Sequence, residues 1–166
     1  AYEECTVVGR NAVLEAYRSG KTIDKLFILD GCQDGPVRSI LREARKRDTL
    51  IKFVSKEKLD SLSSHEKHQG VVAIAAAYEY ATVEDLFKKA EEKGEAPFFI
   101  LCEEIEDPHN LGAIIRTANL AGAHGVIIPK RRAVGLTSTV AKVSAGALNY
   151  TPVARVTNLS RTIDEL

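Results

Sequence analysis

Methionine and tryptophan are absent from the 166 residues, and only 5 Pro, 11 Gly and 3 Cys are present. Scarce glycine and proline exclude collagen-like or linker material, and 45% apolar with 28% charged residues excludes a disordered chain. Cys5, Cys32 and Cys102 are odd in number and far apart. They form neither a disulfide framework nor a CxxC pair, which implies a reducing, cytoplasmic setting. The longest apolar run, Val71 to Tyr78, is the length of a strand and well short of the ~18 residues of a membrane span. Also missing are GxGxxG, GxxxxGK[ST], GxSxG and HExxH, so the usual dinucleotide, P-loop, serine-hydrolase and zinc-protease fingerprints do not apply.

The net charge is zero, with 23 basic and 23 acidic residues, but the balance is uneven along the chain. Residues 1–76 carry +2, residues 77–108 carry −7 and residues 109–166 carry +5. Basic ends around an acidic middle suit a nucleic-acid binder, and ordinary surface variation gives the same profile.

Patterning divides the chain in three. Over 1–76 helix and strand alternate. A helix spans Gly9–Arg18, with Ala12, Val13, Ala16 and Tyr17 on one side and Gly20 as its stop, and a strand follows at Lys25–Leu29. A helix opened by Pro36 runs to about Arg47 with Val37, Ile40, Leu41 and Ala44 inward, then a strand at Ile51–Val54. Ser55 caps a short helix, and Gly70–Ala76 is a β-branched strand. Helical crossovers between strands predict a largely parallel sheet. Residues 77–96 read as a linker helix, capped by Thr82, ended by Gly94 and buried through Leu86, Phe87 and Ala90. A second α/β alternation fills 97–166. Its strands fall at Phe98–Cys102, Gly125–Ile128 and Val153–Val156, its helices at about Leu111–Ala121 and Thr137–Leu148, and a last helix opens at Asn158.

The densest polar stretch is Glu103–Gly112, between a strand and a helix, where open α/β sheets bind ligands. Asn110 stands there either as a helix cap or as a site residue. Arg116, on an otherwise apolar helix, is either paired with Glu106 or Asp107 or held for a ligand. Thr137–Ala147 combines hydroxyls and small residues, suited to close helix packing or to close approach of a ligand. His65 and His68 lack a third metal ligand nearby, so a loop touching RNA fits them better than zinc, and no metal is expected. Lys130, Arg131 and Arg132, after a strand end, suit phosphate contacts or a solvated charge run.

Four segments, Gly9–Val13, His68–Ala73, Asp107–Ala118 and Lys142–Ala147, resemble in order the landmarks of the SpoU (TrmH-like) RNA 2′-O-ribose methyltransferases of the knotted SPOUT class. The resemblance implies a ribosomal-protein-like α/β RNA-binding domain over 1–76. It implies a Rossmann-like, trefoil-knot methyltransferase domain over 97–166, incomplete because the family's third motif is absent before Leu166. Methyl transfer from S-adenosylmethionine to a ribose 2′-hydroxyl, most naturally of ribosomal RNA, and a homodimer are then expected, with this chain as an inactive fragment. Carried over by motif, Arg116 and Asn110 are catalytic, Ser144, Gly146 and Ala147 touch the cofactor, and His68 and Gln69 hold RNA together with Lys130, Arg131 and Arg132. The rival readings are a non-catalytic RNA-binding protein of the kink-turn-binding type and a transferase acting on a small phosphorylated ligand.

Overall fold

The computed structural model describes residues 5–166, and the contacts divide the chain into two units that meet in sequence between Ala76 and Ala77. In the first unit the elements are β1 (Thr6–Val8), α1 (Arg10–Arg18), β2 (Ile23–Leu29), α2 (Gly35–Lys46), β3 (Leu50–Val54), α3 (Lys56–Leu62) and β4 (Val71–Ala75). The strand order is β1-β4-β2-β3.

The expectation of a largely parallel sheet is corrected here. Only β2 and β3 are parallel, joined by the α2 crossover, whereas β4 runs antiparallel to both β1 and β2. The seven-residue α3 and the turn after it reverse the chain before β4, so no second crossover forms. The edge strand β1, three residues long, has no counterpart in the sequence reading. One sheet face packs on α1 and α2 through Val13, Tyr17, Ile40 and Ala44, and the other on α3 through Leu59. Ala12, expected inward, is exposed, and Leu14 packs on that core instead.

The second unit contains α4 (Val83–Lys93), β5 (Phe99–Leu101), α5 (Pro108–Leu120), β6 (Gly125–Pro129), α6 (Ser138–Val143), a 3-10 turn (Ala147–Asn149), β7 (Val153–Val156) and α7 (Leu159–Glu165). Its sheet, β5-β6-β7, is wholly parallel. Such a sheet must be covered on both faces. Helices α5 and α6 cover one through Leu111, Ile115 and Val140, and α4 with α7 cover the other through Leu86 and Leu159. Every residue of the central strand β6 is buried.

The helix read as a linker is thus a layer of the second unit. Its start is a capping box, in which the Thr82 hydroxyl accepts from the Asp85 N–H and the Asp85 carboxylate accepts from the Thr82 N–H. Gly94 ends it in the left-handed conformation, φ 66°. Phe87, expected inward, remains over a third exposed and meets the Phe99 ring edge-on at 4.9 Å. The single helix expected over Thr137–Leu148 is broken. Ala145 (φ 53°) and Gly146 (φ 84°) both take left-handed backbone, which an α-helix cannot continue through.

Candidate functional site

The second unit places its polar candidates at the carboxyl ends of its strands. Helix α5 opens at Pro108, and Asp107 is its cap, accepting from the N–H groups of His109 (2.8 Å) and Asn110 (3.2 Å). The cap reading of Asn110 is therefore corrected. Asn110 lies inside the first turn, exposed, and its side chain makes no hydrogen bond among the described residues.

Arg116 is exposed as well, with neither an ion pair nor a hydrogen bond among the described residues. The pairing with Glu106 or Asp107 is not formed, and no cost of burial attaches to the charge. At about 100° per residue, Asn110 and Arg116 face directions some 120° apart. Asn110 looks onto a groove of about 500 Å³ lined by Ile100, Ile105, Ala113, Ile114 and Thr117. Arg116 lies nearer the side of Gly112, where α5 meets α6. Thr117, in that groove, was invisible to motif reading because a lone threonine in a helix carries no signal.

Gly112 explains the close approach of the two helices. A Cβ there would sit 2.6 Å from the Val143 Cβ and 3.2 Å from the Ser144 amide nitrogen. Ser144 is fully buried, and its hydroxyl donates to the Ala141 carbonyl at 2.9 Å. Ala147 is buried, whereas Gly146 is half-buried at a left-handed position where a Cβ would meet Asn149 Nδ2 at 3.9 Å, an ordinary contact. Helix packing thus accounts for Ser144 and Ala147, and of the three only Gly146 keeps surface for a ligand.

The basic run after β6 is joined to the loop after β5. The Ile105 N–H donates to the Arg132 carbonyl (2.9 Å) and the Val134 N–H to the Ile105 carbonyl (2.8 Å). Arg131 and Arg132 are exposed, and Lys130 is half-buried. These cations share one end of the sheet with the exposed acids Glu103, Glu104 and Glu106 and with the start of α5.

In the first unit, two segments remote in sequence meet. The Gly9 N–H donates to the Val71 carbonyl at 3.0 Å, which brings the start of α1 against the turn before β4. Arg10 fastens them. Its Nε donates to the Gln69 carbonyl (2.9 Å), and its Nη2 lies 2.6 Å from Asp34 Oδ2. Asp34 also caps α2, accepting from the Val37 N–H at 3.1 Å. That hydrogen bond, with the Arg10 charge adding to it, holds the Asp34 carboxyl below its usual value of 3.8.

His68 is buried beside this clamp. Its Nδ1 accepts from the Gly70 N–H (2.9 Å), so the ring proton sits on Nε2 and is donated to Asp60 Oδ1 (2.8 Å). With both ring nitrogens engaged inside the unit, His68 shapes the turn, and Gln69 beside it is exposed. Helix α1 has no side-chain cap, because Gly9 precedes it. The Gln69 side chain takes the place of a cap, its Oε1 accepting from the Arg10 N–H at 3.4 Å. Arg10 and Asp34 were not singled out from sequence. Arg10 lies in a quoted motif, but its partners are 24 and 59 residues away.

Residues 6–81 match a family model described as RNA 2′-O ribose methyltransferase substrate binding, and residues 97–166 match the SpoU rRNA methylase family. Over 160 residues the chain is 52% identical to a protein of Bacillus subtilis (strain 168) named for the TrmH family of tRNA/rRNA methyltransferases, covering 96% of this chain and 64% of that protein. A Staphylococcus epidermidis protein of the same description is 48% identical over 164 residues, covering 99% of this chain and 66% of its own length. The chain thus spans about two thirds of the length of these curated relatives. Among solved structures, an rRNA methyltransferase from Sinorhizobium meliloti is 24% identical with a TM-score of 0.44, covering 96% of this chain and 56% of that one. The SpoU methyltransferase AviRb from Streptomyces viridochromogenes, with AdoMet, is 22% identical with a TM-score of 0.42, covering 96% and 58%.

Proposed function

The chain belongs to the SpoU (TrmH-like) RNA methyltransferase family, and from that premise we propose that it serves 2′-O-methylation of RNA ribose. Ribosomal RNA as the substrate, S-adenosylmethionine as the methyl donor and a second copy of the chain as partner are parts of this proposal. The observation that carries it is the state of Asn110 and Arg116. Both are exposed at the family's most specific segment, and neither is used by any hydrogen bond or ion pair among the described residues.

The methyl donor supplies an electrophilic sulfonium methyl. Ser144 and Ala147 are consumed by helix packing, so of the three only Gly146 would meet the donor. What the chain's own residues do follows from their chemistry. A ribose hydroxyl is a weak nucleophile: its oxygen gains negative charge as its proton passes to solvent water, and gives that charge up when it bonds to the methyl carbon and the carbon–sulfur bond breaks. A guanidinium is a cation with donors and no acceptor, so Arg116 does not take the proton. Arg116 instead grips the neighbouring phosphate and stabilises the emerging oxyanion. Asn110, offering both a donor and an acceptor, orients the nucleotide at the mouth of the groove. Gln69 holds another part of the RNA, and Arg131 and Arg132 add phosphate contacts.

The test is transfer of labelled methyl from S-adenosylmethionine to ribosomal RNA by a protein of the relatives' full length that carries this sequence. Arg116→Ala is expected to slow the chemical step by ~10²-fold or more, the size of losing one oxyanion donor. Its stability should stay within about 0.5 kcal/mol of the parent, as for an unpartnered surface residue. RNA binding without any methyl transfer would favour the non-catalytic RNA-binding reading instead.

A further inference from the structure

Helix α2 carries a cationic face that none of the site residues above accounts for. Arg38, Arg42 and Arg45 are all exposed, and none makes an ion pair among the described residues. They recur at i, i+4 and i+7, within about 60° of one another around the axis and over about 10 Å of its length. The helix has a single acid, Glu43. Arg47 pairs with it, and the charges of Lys46 and Arg18 also reach it, holding its carboxyl below the usual range. The acid is thus used up, and the arginine row keeps its charge. The opposite face of α2, with Val37, Ile40, Leu41 and Ala44, is buried against the sheet.

An exposed aromatic lies on the sheet edge, at the end of the sheet where α2 begins. Strand β3 is the free edge of the sheet, paired only with β2, and Phe53 on it is 53% exposed. Phe53 points to the same side as Ile51, which packs into the core beneath α1 and α2. The parallel register sets Phe53 beside Ile28 at the carboxyl end of β2, the end at which α2 begins.

We propose that the outer face of α2, with Phe53 on the sheet edge, is a second RNA-binding surface: the three arginines grip successive backbone phosphates and Phe53 stacks one unpaired base. This rests on the reading of the protein as an RNA methyltransferase and adds a surface separate from the turn at Gln69. Arginine forks match phosphate oxygens in pairs, and a ring stacks on any base, so the contact is with RNA irrespective of sequence. A lipid surface fits less well, because the apolar face that a membrane-bound helix would insert is already buried.

The experiment measures binding by the whole 166-residue chain across ~50–200 mM salt, with three probes. These are an RNA hairpin with a single-stranded loop, a fully paired RNA duplex, and phosphatidylcholine vesicles containing phosphatidylserine. The triple substitution Arg38→Ala, Arg42→Ala, Arg45→Ala should lower the slope of log affinity against log salt by about 2–3, at about 0.7–0.9 per phosphate contact. The matching triple change to Lys should keep the slope, which separates lost contacts from a folding defect. Phe53→Ala should weaken hairpin binding by about fivefold or more and leave duplex binding unchanged. Parental binding to RNA with an unaltered slope in the Ala triple variant overturns this proposal alone. Tighter binding to the vesicles than to RNA makes the face a membrane surface and also overturns it. No RNA binding by the parent overturns both this proposal and the functional reading beneath it.

Discussion

The two units treat their landmark residues in opposite ways. In the first, Arg10, His68 and Gly70 are engaged inside the unit: the Arg10 guanidinium spans two loops to Asp34 and the Gln69 carbonyl, and the buried His68 imidazole bridges α3 to the Gly70 N–H before β4. In the second, Asn110 and Arg116 project from α5 without a partner, while Gly112 and Ser144 disappear into the joint between α5 and α6. A polar group tied up internally holds a shape, whereas one with nothing to hold is available to a ligand. The first unit presents a preformed turn, and the second presents loose side chains on a rigid helix. Substitutions should separate the two: stability is lost at the tied positions and chemistry at the untied ones.

The largest stability effect is expected at the packed joint. Gly112→Val would drive carbon into Val143 and the Ser144 backbone, costing about 2–3 kcal/mol by overpacking. Denaturant unfolding measures it, and a loss below about 0.5 kcal/mol would mean that α5 and α6 separate easily. His68→Ala comes next. It leaves the buried Gly70 N–H without its acceptor, a loss of about 1–3 kcal/mol, and amide exchange of Gly70 should accelerate with it.

The smallest effect is one of pH. The Val37 N–H and then Arg10 hold the Asp34 carboxyl below 3.8, so its folded value lies under its unfolded one. The stabilisation is therefore present above about pH 4 and lost as pH falls through the folded value. Asp34→Asn should abolish that part of the acid dependence of the melting temperature. Because Asp34 is exposed, the change will be small, and the same acid dependence in parent and variant would show that the clamp does not depend on the charge.

Local signals carried much of the fold. Thr82 and Gly94 bound α4, Pro36 sits in the first turn of α2, and β6 reads as an unbroken apolar run, since each depends on neighbours a few residues away. Even the cap of α5 was written locally, as Asp107 followed by Pro108 is the usual order of cap and first helical residue. Other features depend on contacts across the chain. The placing of β4 between β1 and β2 cannot be read from a run of residues, and nothing near Ala145 signals its left-handed backbone. Arg116, a charge on an apolar helix, suggested burial, but α5 keeps one side toward solvent and Arg116 lies on it. His68 looked like a polar loop residue until Asp60 and Gly70 enclosed it.

The most direct test sets Arg10→Ala beside Arg116→Ala in a protein of the relatives' full length that carries this sequence, recording unfolding free energy and methyl transfer per folded molecule for both. Arg10→Ala should lose more stability than Arg116→Ala, as the charged hydrogen bond to the Gln69 carbonyl and the Asp34 pair disappear, with turnover per folded molecule kept within a few-fold. Arg116→Ala should do the reverse, retaining stability within about 0.5 kcal/mol and losing turnover by ~10²-fold. The opposite pattern, with Arg116→Ala unfolding early yet turning over normally and Arg10→Ala stable, would contradict the division between tied and untied landmarks.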